Sequence, residues 1–497
     1  YLYPPGGGAV VVSSSAGDRV DFQLTSTGTH TIVIEDNANN DAGGYSMSFL
    51  NVTAGPLTNG SDTDGGAILS NQIKAGQFNQ GVDFDAYTFS GTNGQRIIIA
   101  GVATGAGAHN TKIAVYPPGG GAAIISSVVD RYDVQLTSTG THTFVIEENG
   151  NNDAGTYTLS FVNVTAGPYT DGGDPDGGAI VSNEIKSGTT SGSSDIDAFT
   201  FSGTSGQRVL LSAKTTSGAL DTWIYLYPPG GGAVVVSSSA GDRVDFQLTS
   251  TGTHVIVIED NANNDAGGYT MSFLNVTAGP YTGGAETDGG AIVSGVAEMG
   301  SAISAADFDG YTFSATSGDT AIISCIATIG PMNTQIAVYP PAGGAALIST
   351  TVDSFNQTLP LTGTYTIVVE DNAQDQTGNY TLTLNGINGG GATDVPTGGT
   401  EPLDFSRAAL LPASPSPFLN STRLDFRVAQ EGPVQLRIYD VTGSLVRALV
   451  DETLRPGAHP AVWDGNDDRG SRVASGIYYA QLQTGGEVKK QKVVRIR

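Results

Sequence analysis

Residues 225–280 read YLYPPGGGAVVVSSSAGDRVDFQLTSTGTHVIVIEDNANNDAGGYTMSFLNVTAGP, and residues 1–56 repeat that text at 54 of 56 positions, differing only at Thr31/Val255 and Ser46/Thr270. The offset is 224 residues, two periods of 112. Self-similarity at a fixed period marks an array of one structural unit, and it has to be recognised before any single fold is assigned. The Pro-Pro pairs beginning at Pro4, Pro117, Pro228 and Pro340 are spaced 113, 111 and 112 residues, and the Gly-Pro pairs ending at Pro56, Pro168 and Pro280 are each 112 apart. These rulers give the C-terminal half of a unit at 1–56, full units at 57–168, 169–280 and 281–387, a Gly-rich linker at 388–402 and a different domain at 403–497.

Within a unit the pattern is that of strands. Short runs rich in Thr, Val, Ile, Tyr and Phe alternate with clusters of Gly, Asn, Asp and Pro, the composition of turn-rich all-β domains. Each full unit opens on an acidic turn: Asp62-Thr-Asp64-Gly-Gly, Asp174-Pro-Asp176-Gly-Gly, Glu286-Thr-Asp288-Gly-Gly. An Asp-x-Asp strand follows: Asp83-Phe-Asp85-Ala-Tyr87-Thr-Phe89, Asp195-Ile-Asp197-Ala-Phe199-Thr-Phe201, Asp307-Phe-Asp309-Gly-Tyr311-Thr-Phe313. Its period of two puts the acids and aromatics on one side. In Trp223-Ile-Tyr225-Leu-Tyr227 both faces are apolar, as in a central strand, and Pro-Pro ends it because proline has no ladder donor. The Gly run then supplies a turn. About eight strands per unit are expected, paired antiparallel and stacked as a β-sandwich. Residues 1–56 lack the strands that would cover their apolar face, so they are expected to be poorly ordered or misassembled. Near-identity at two periods also reads as recent duplication of a pair of units.

Charge is unevenly placed. Residues 1–402 hold 9 Lys/Arg against 38 Asp/Glu (net −29), and residues 403–497 hold 13 against 10 (net +3). Such an acidic array repels nucleic acid and anionic membranes. No run of 18 apolar residues is present, so no membrane-spanning helix is expected. The single cysteine, Cys325, lies in the apolar run TAIISCIAT and reads as a buried strand residue. The chain begins inside a repeat without Met or a signal peptide, which reads as a fragment of a longer exported protein.

The 112-residue unit resembles the bacterial pre-peptidase C-terminal domain. The resemblance rests on three stretches: the Asp-x-Asp-x-aromatic-x-Phe strand (Asp83–Phe89), the run Leu220–Gly230, and Gly140–Val145 followed by Gly155–Leu159. It implies a jelly-roll-like sandwich, secreted and non-catalytic, of a kind that often trails an exoenzyme and whose relatives bind collagen, polysaccharide or calcium. Residues 403–497 resemble the immunoglobulin-like domain of the flagellar hook-capping protein (FlgD) and, overlapping with it, the type A C-terminal sorting domain of type IX secretion. The residues that carry this are Ser416-Pro417-Phe418, Gly432–Gly443, Leu445–Leu449, Pro456-Gly457-Ala-His459, Trp463-Asp464-Gly465 to Gly470, Ala474–Tyr479 and the basic finish Lys489–Arg497. The family opens with Asn-Pro where this chain has Ser416-Pro417. The resemblance implies an immunoglobulin-like β-sandwich that engages a secretion machinery.

Clustered hard oxygens suit Ca²⁺, which takes six to eight of them. The hairpin turns supply such clusters: Asp36, Asn40 and Asp41; Glu148, Asn152 and Asp153; Asp260, Asn264 and Asp265; Asp371 and Asp375. The competing reading is an Asn/Asp-rich turn that uses these residues for positive φ and local hydrogen bonds. The Asp-x-Asp-Gly-Gly turns are a second calcium candidate. Unit 281–387 has no Lys or Arg, a self-repelling arrangement that bound cations would relieve. The Asp-x-Asp strands read as structural, with no partner acid or base recurring nearby. His30, His142 and His254 share a place that is Tyr365 in the last unit, so it reads as an aromatic packing site. No His-Glu-x-x-His, Gly-x-Ser-x-Gly, phosphate-loop or Cys-x-x-Cys motif is present.

The expected protein is therefore all-β, with tandem antiparallel jelly-roll-like β-sandwiches plus a C-terminal immunoglobulin-like β-sandwich. Its expected role is non-catalytic: a stalk with a structural, adhesive or accessory binding role, at the bacterial surface or outside the cell. Its partners would be an extracellular protein or glycan polymer, and the secretion machinery through 403–497. Two other readings stay open. In one, the units are accessory modules of an exoenzyme whose catalytic domain precedes residue 1; in the other, they form a carbohydrate-binding array.

Overall fold

The computed structural model describes residues 1–387 and 409–496, apart from 15–18, 59–60, 106–108, 172, 239–242, 284–286, 411–412, 414–417, 420, 429–431 and 455–456. The expected linker at 388–402, Glu286 and Ser416-Pro417 lie outside the described residues. The contacts define two compact units, Tyr1–Ile292 with Met299–Thr381, and Val293–Glu298 with Leu382–Arg497.

In the first compact unit, residues 65–163 form two sheets. The five-stranded sheet runs in the order Gly65–Ala67, Phe84–Gly91, Gly140–Glu148, Thr111–Tyr116, Ile125–Ser127. The four-stranded sheet runs Gln72–Phe78, Gly155–Asn163, Arg96–Thr104, Arg131–Gln135. Residues 177–275 repeat both orders. Pairing is antiparallel except for the short opening strand, which runs parallel to the Asp-x-Asp strand (Gly177↔Ala198, Gly178↔Phe199). There are nine strands rather than about eight. The sequence reading places neither the strand between the opening turn and the Asp-x-Asp strand, Gln72–Phe78 or Glu184–Thr190, nor the short edge strand after the Gly run, Ile125–Ser127 or Val236–Ser237. The edge strand is too short to show an alternation.

The sandwich interior comes from one face of each strand. Phe89, Ile97, Ile99, Phe144, Leu159 and Phe161 are all buried between the sheets of the first full repeat. The opposite face is buried as well. Ile98, Ala100 and Val162 pack against Ile196, Ala198, Tyr227, Val255 and Val257 of the next repeat. Leu210, Leu274 and Val276 pack in the same way against Phe308, Ala337, Tyr339 and Val368. Successive sandwiches therefore stack sheet on sheet. Ile224 and Leu226 face their own core while Tyr225 and Tyr227 face the seam, which is why that stretch is apolar on both sides.

Among the described residues, 1–56 keep a two-residue pairing, Leu2–Tyr3 with Thr31–Ile32, and a single bridge between Leu2 and Val12. Tyr45, Met47 and Phe49 are 73%, 53% and 72% exposed, whereas their counterparts Tyr269, Met271 and Phe273 are 1%, 0% and 2% exposed. The side chains are the same apart from the missing covering strands. Leu50 and Val52 still pack on Ala86, Tyr116 and Val145, so the seam is made where the sandwich is not.

The second compact unit contains a three-stranded sheet (Ala409–Leu410, Thr422–Val428, Gly457–Trp463) and a four-stranded sheet (Leu445–Leu454, Gly432–Asp440, Gly476–Thr484, Glu487–Arg495). Leu424, Phe426, Val434, Leu436, Ile438, Ala480 and Leu482 alternate inward from these strands. Trp463 is fully buried, edge-on to Phe418 and Tyr478 at 5.2 and 5.0 Å between centroids. Its indole Nε1–H donates to the Asn466 carbonyl at 2.9 Å, which holds the turn after it. This is the core Trp followed by a turn that the sequence suggests. No helix among the described residues is long and apolar enough to cross a membrane.

Candidate metal centre

The Asp-x-Asp strand has an acidic partner after all. The parallel bridge brings the opening turn of each repeat against the start of that strand. In the second repeat, oxygens of Asp174, Asp195 and Asp197 all lie within 4.8 Å of one another; in the first, those of Asp62, Asp64 and Asp85 do the same. The Gly-Gly after the turn permits this approach. Gly177 sits at φ +134°, and a Cβ there would stand 2.2 Å from the Tyr169 carbonyl and 2.7 Å from that of Ala198. No side chain fits, so the turn must carry glycine to reach the strand.

Each carboxylate is positioned by the sheet. Asp197 Oδ2 accepts from the Tyr269 hydroxyl at 2.7 Å, as Asp85 Oδ2 does from Tyr157. In the third repeat Tyr380 donates to Asp309 at 2.6 Å. Asp195 Oδ2 accepts from the Ser191 amide at 2.6 Å. Asp176, the second turn acid, ties the turn to the facing strand by accepting from the Thr189 amide and hydroxyl at 2.7 and 3.0 Å. After these bonds, Oδ1 of Asp85, Asp195 and Asp197 is buried without a hydrogen-bond partner. Asp85 and Asp197 are 0% exposed and Asp195 is 1% exposed.

Buried carboxylates this close repel one another and lose hydration, so their protons are held more tightly. Burial pushes Asp85 up to about 8, with the neighbouring charges of Asp83, Asp62 and Asp64 adding to it. Burial and the Asp195 charge push Asp174 up to about 7. Burial, then Asp195 and Asp174, raises Asp197 well above the carboxylate range. Three clustered carboxylates, with one unpartnered oxygen in the first centre (Asp85) and two in the second (Asp195 and Asp197), fit a divalent cation of the calcium or magnesium class. In the second centre all three are buried, which closes that centre to a substrate of glycosidase size; in the first, Asp85 is buried while Asp62 and Asp64 are half-buried.

The hairpin turns are differently used. Asp260 Oδ2 accepts from the amides of Ala262, Asn264 and Asp265 at 3.2, 2.9 and 3.3 Å, and its Oδ1 accepts from Asp221 at 3.0 Å. Asp36 takes the amides of Ala38 and Asn40, Glu148 that of Asn152, and Asp371 those of Asn333 and Asp375. Asn39, Asn151, Asn263 and Gln374 take positive φ in these turns. Asn40, Asp41, Asn152, Asp153, Asn264, Asp265 and Asp375 complete the same loops, where the leading carboxylate is occupied by backbone donors. Asp260→Ala is expected to cost about 2 kcal/mol by stranding those amides and to leave any calcium response unchanged. Paired melts with calcium and with chelator check both halves of that statement.

The other chemistry-bearing residues pack. His142 and His254 are buried and stack on Phe89 and Phe201 at 5.3 and 5.2 Å, and Tyr365 stacks on Phe313 in the last repeat. Burial lowers the affinity of both imidazoles for a proton. Cys325 is fully buried, and burial pushes its thiol up to about 12, far from a reactive thiolate. The sequence reading missed the meeting of turn and strand. The signal was the joint recurrence of an Asp/Glu-x-Asp-Gly-Gly turn and an Asp-x-Asp strand at one spacing in every full unit.

Solved structures similar to parts of this chain include the periplasmic g-type lysozyme inhibitor PliG of Aeromonas hydrophila (17% identity, 20% of this chain and 95% of that one, TM-score 0.18). PorZ, an essential bacterial surface component of the type-IX secretion system of Porphyromonas gingivalis, is 18% identical over 26% of this chain and 15% of its own, TM-score 0.15. Dimeric latent PorU from the same organism is 15% identical over 65% and 33%, TM-score 0.15. The chain thus spans a small part of PorZ and a third of PorU, and at these scores none of the three likenesses bears on function. No curated protein sequence matches the chain. Residues 418–487 match the family of the FlgD Ig-like domain, in the stretch where the sequence resemblance to that family lies.

Proposed function

We propose that this chain is a non-catalytic surface-display segment of an exported bacterial protein. Residues 57–387 are a stalk of sandwiches resembling the pre-peptidase C-terminal domain. Calcium holds each acidic turn to its Asp-x-Asp strand at Asp62/Asp64/Asp85 and Asp174/Asp195/Asp197. The hairpin turns led by Asp36, Glu148, Asp260 and Asp371 are the alternative place for calcium, which loss of the calcium response in Asp260→Ala would indicate. Residues 403–497 act as a type A sorting domain that engages a type IX secretion machinery. The stalk spaces or attaches its load against an extracellular protein or glycan polymer.

The observation that carries this reading is repetition: an acidic centre of turn and Asp-x-Asp strand is found at corresponding places in two successive repeats, in a frame that recurs at a fixed period. A structure that grows by copying whole units suits a spacer, where length matters and no single site does. Deletion of residues 403–497 in the producing organism is expected to abolish surface display and leave the protein inside the cell, measured by fractionation and surface labelling. Undiminished display of the truncated protein would remove the sorting role.

A further inference from the structure

The most repeated chemistry outside the acidic centres lies at the seams between sandwiches. At each seam an arginine from one repeat crosses to a glutamate of the next. Arg19 Nε donates to Glu147 at 2.8 Å, Arg131 Nε to Glu259 at 2.8 Å, and Arg243 to both oxygens of Glu370 at 2.9 Å. All three glutamate side chains are 2% exposed. Two residues after each arginine, an aspartate accepts from a tyrosine of the next repeat: Tyr116 to Asp21, Tyr227 to Asp133 at 2.8 Å, Tyr339 to Asp245 at 2.8 Å. Asp133 and Asp245 are in turn held by Arg96 and Arg208 of their own sheet. The glycine turn of the incoming repeat seats at the same place. A Cβ on Gly231 would stand 2.4 Å from the Gly94 carbonyl, and one on Gly343 2.4 Å from that of Gly206.

We propose that this seam is a directional docking joint: an Arg-x-Asp edge strand on one repeat recognises the Glu/Tyr face of another repeat of the same kind. Donor and acceptor lie on different sheets, so the contact is heterologous and repeats stack head to tail in one direction only. The buried arginine–glutamate pair selects the partner. An apolar face without the matching charge would leave an ion buried and unpaired, which is strongly unfavourable. Unit 281–387 carries the Glu/Tyr face, Tyr339 and Glu370, but no Arg-x-Asp edge strand. Thr320, Ser354 and Asn356 stand where the preceding repeat has Arg208, Arg243 and Asp245, and Asn385 stands where it has Leu274. Such a unit receives a repeat on one face and offers nothing on the other, as a terminal repeat of a stack does. The absence of Lys and Arg from this unit thus reflects the loss of a joint.

The test is a charge exchange in the full chain, read by calorimetric melting. Arg131→Glu and Glu259→Arg are each expected to lower the stack's midpoint by roughly 5–10 °C and to split its transition, because each buries two like charges at the seam. The double variant Arg131→Glu/Glu259→Arg is expected to recover at least half of that loss. Arg131→Met, which keeps the methylene packing, covers the case in which a reversed charge prevents folding. It is expected to lower the midpoint, and adding Glu259→Gln to restore it. Singles whose effects simply add in the double variant, or an Arg131→Met protein that melts like the parent, would overturn the joint.

Discussion

Millimolar calcium is expected to raise the melting midpoint of the sandwich array at pH 8 by roughly 5–10 °C over the same protein in chelator. A ligand that binds only the folded state at 100 times its dissociation constant stabilises it by about 2.7 kcal/mol. Two centres are described, and at roughly 2 °C per kcal/mol for a unit of this size the shift falls in that range. The pH dependence supplies the sign. Asp85 and Asp174 are pushed from an ordinary 3.8 up to about 8 and about 7 in the folded protein. Below pH 4 both folded and unfolded chains hold these protons, and nothing is lost. Between about 4 and 8 the unfolded chain has released protons that the folded chain still binds, so stability falls as the pH rises. Without calcium the array should therefore melt lower at pH 8 than at pH 5; with calcium the difference should shrink, because the cation takes the protons' place. Asp85→Asn with Asp197→Asn should flatten both responses. A midpoint indifferent to calcium, chelator and pH would dismiss the centre as a cation site, and loss of the response in Asp260→Ala instead would move it to the hairpin turns.

Trp463→Ala is expected to be the most damaging single change in the C-terminal domain. The side chain is fully buried, meets Phe418 and Tyr478 edge-on, and donates its only polar hydrogen to Asn466. Truncating a buried tryptophan costs about 3–5 kcal/mol in lost transfer energy and residual cavity. A domain of this size has about 5–10 kcal/mol to lose, so the midpoint should drop by roughly 15–30 °C. Leu445→Ala is the control: that side chain is 49% exposed and its loss should be within experimental error. Calorimetry of the two variants against the parent decides it. A Trp463→Ala protein that melts within a few degrees of the parent would show that the domain's stability does not rest on this core.

Several particulars are legible in the sequence alone. The aromatic place shared by His142, His254 and Tyr365 could be named because a position that accepts histidine or tyrosine asks only for a flat ring, and the structure stacks each on a phenylalanine. Cys325 could be placed in a buried strand from its apolar neighbours alone. The strands of the C-terminal domain, such as Thr422–Val428 and Gly432–Asp440, announced themselves by alternation. The acidic centre was only half legible. Asp174 and Asp197 were each singled out, but as separate features 23 residues apart.

What the sequence by itself determined is the period, the all-β class and the set of residues that face inward, because a side-chain period of two and its punctuating glycines and prolines are local properties of the chain. What only the tertiary structure decided is what covers the second face and what meets across space. Ile98 and Tyr225 are apolar on the outer side of their sheets, and no local pattern says whether solvent, a second sheet or another repeat lies there; the stacked seam does. Tyr225–Pro280 and its twin Tyr1–Pro56 make the same point. Near-identical text gives a buried Phe273 and an exposed Phe49, because burial depends on the strands that lie opposite, which in a sandwich come from elsewhere in the chain.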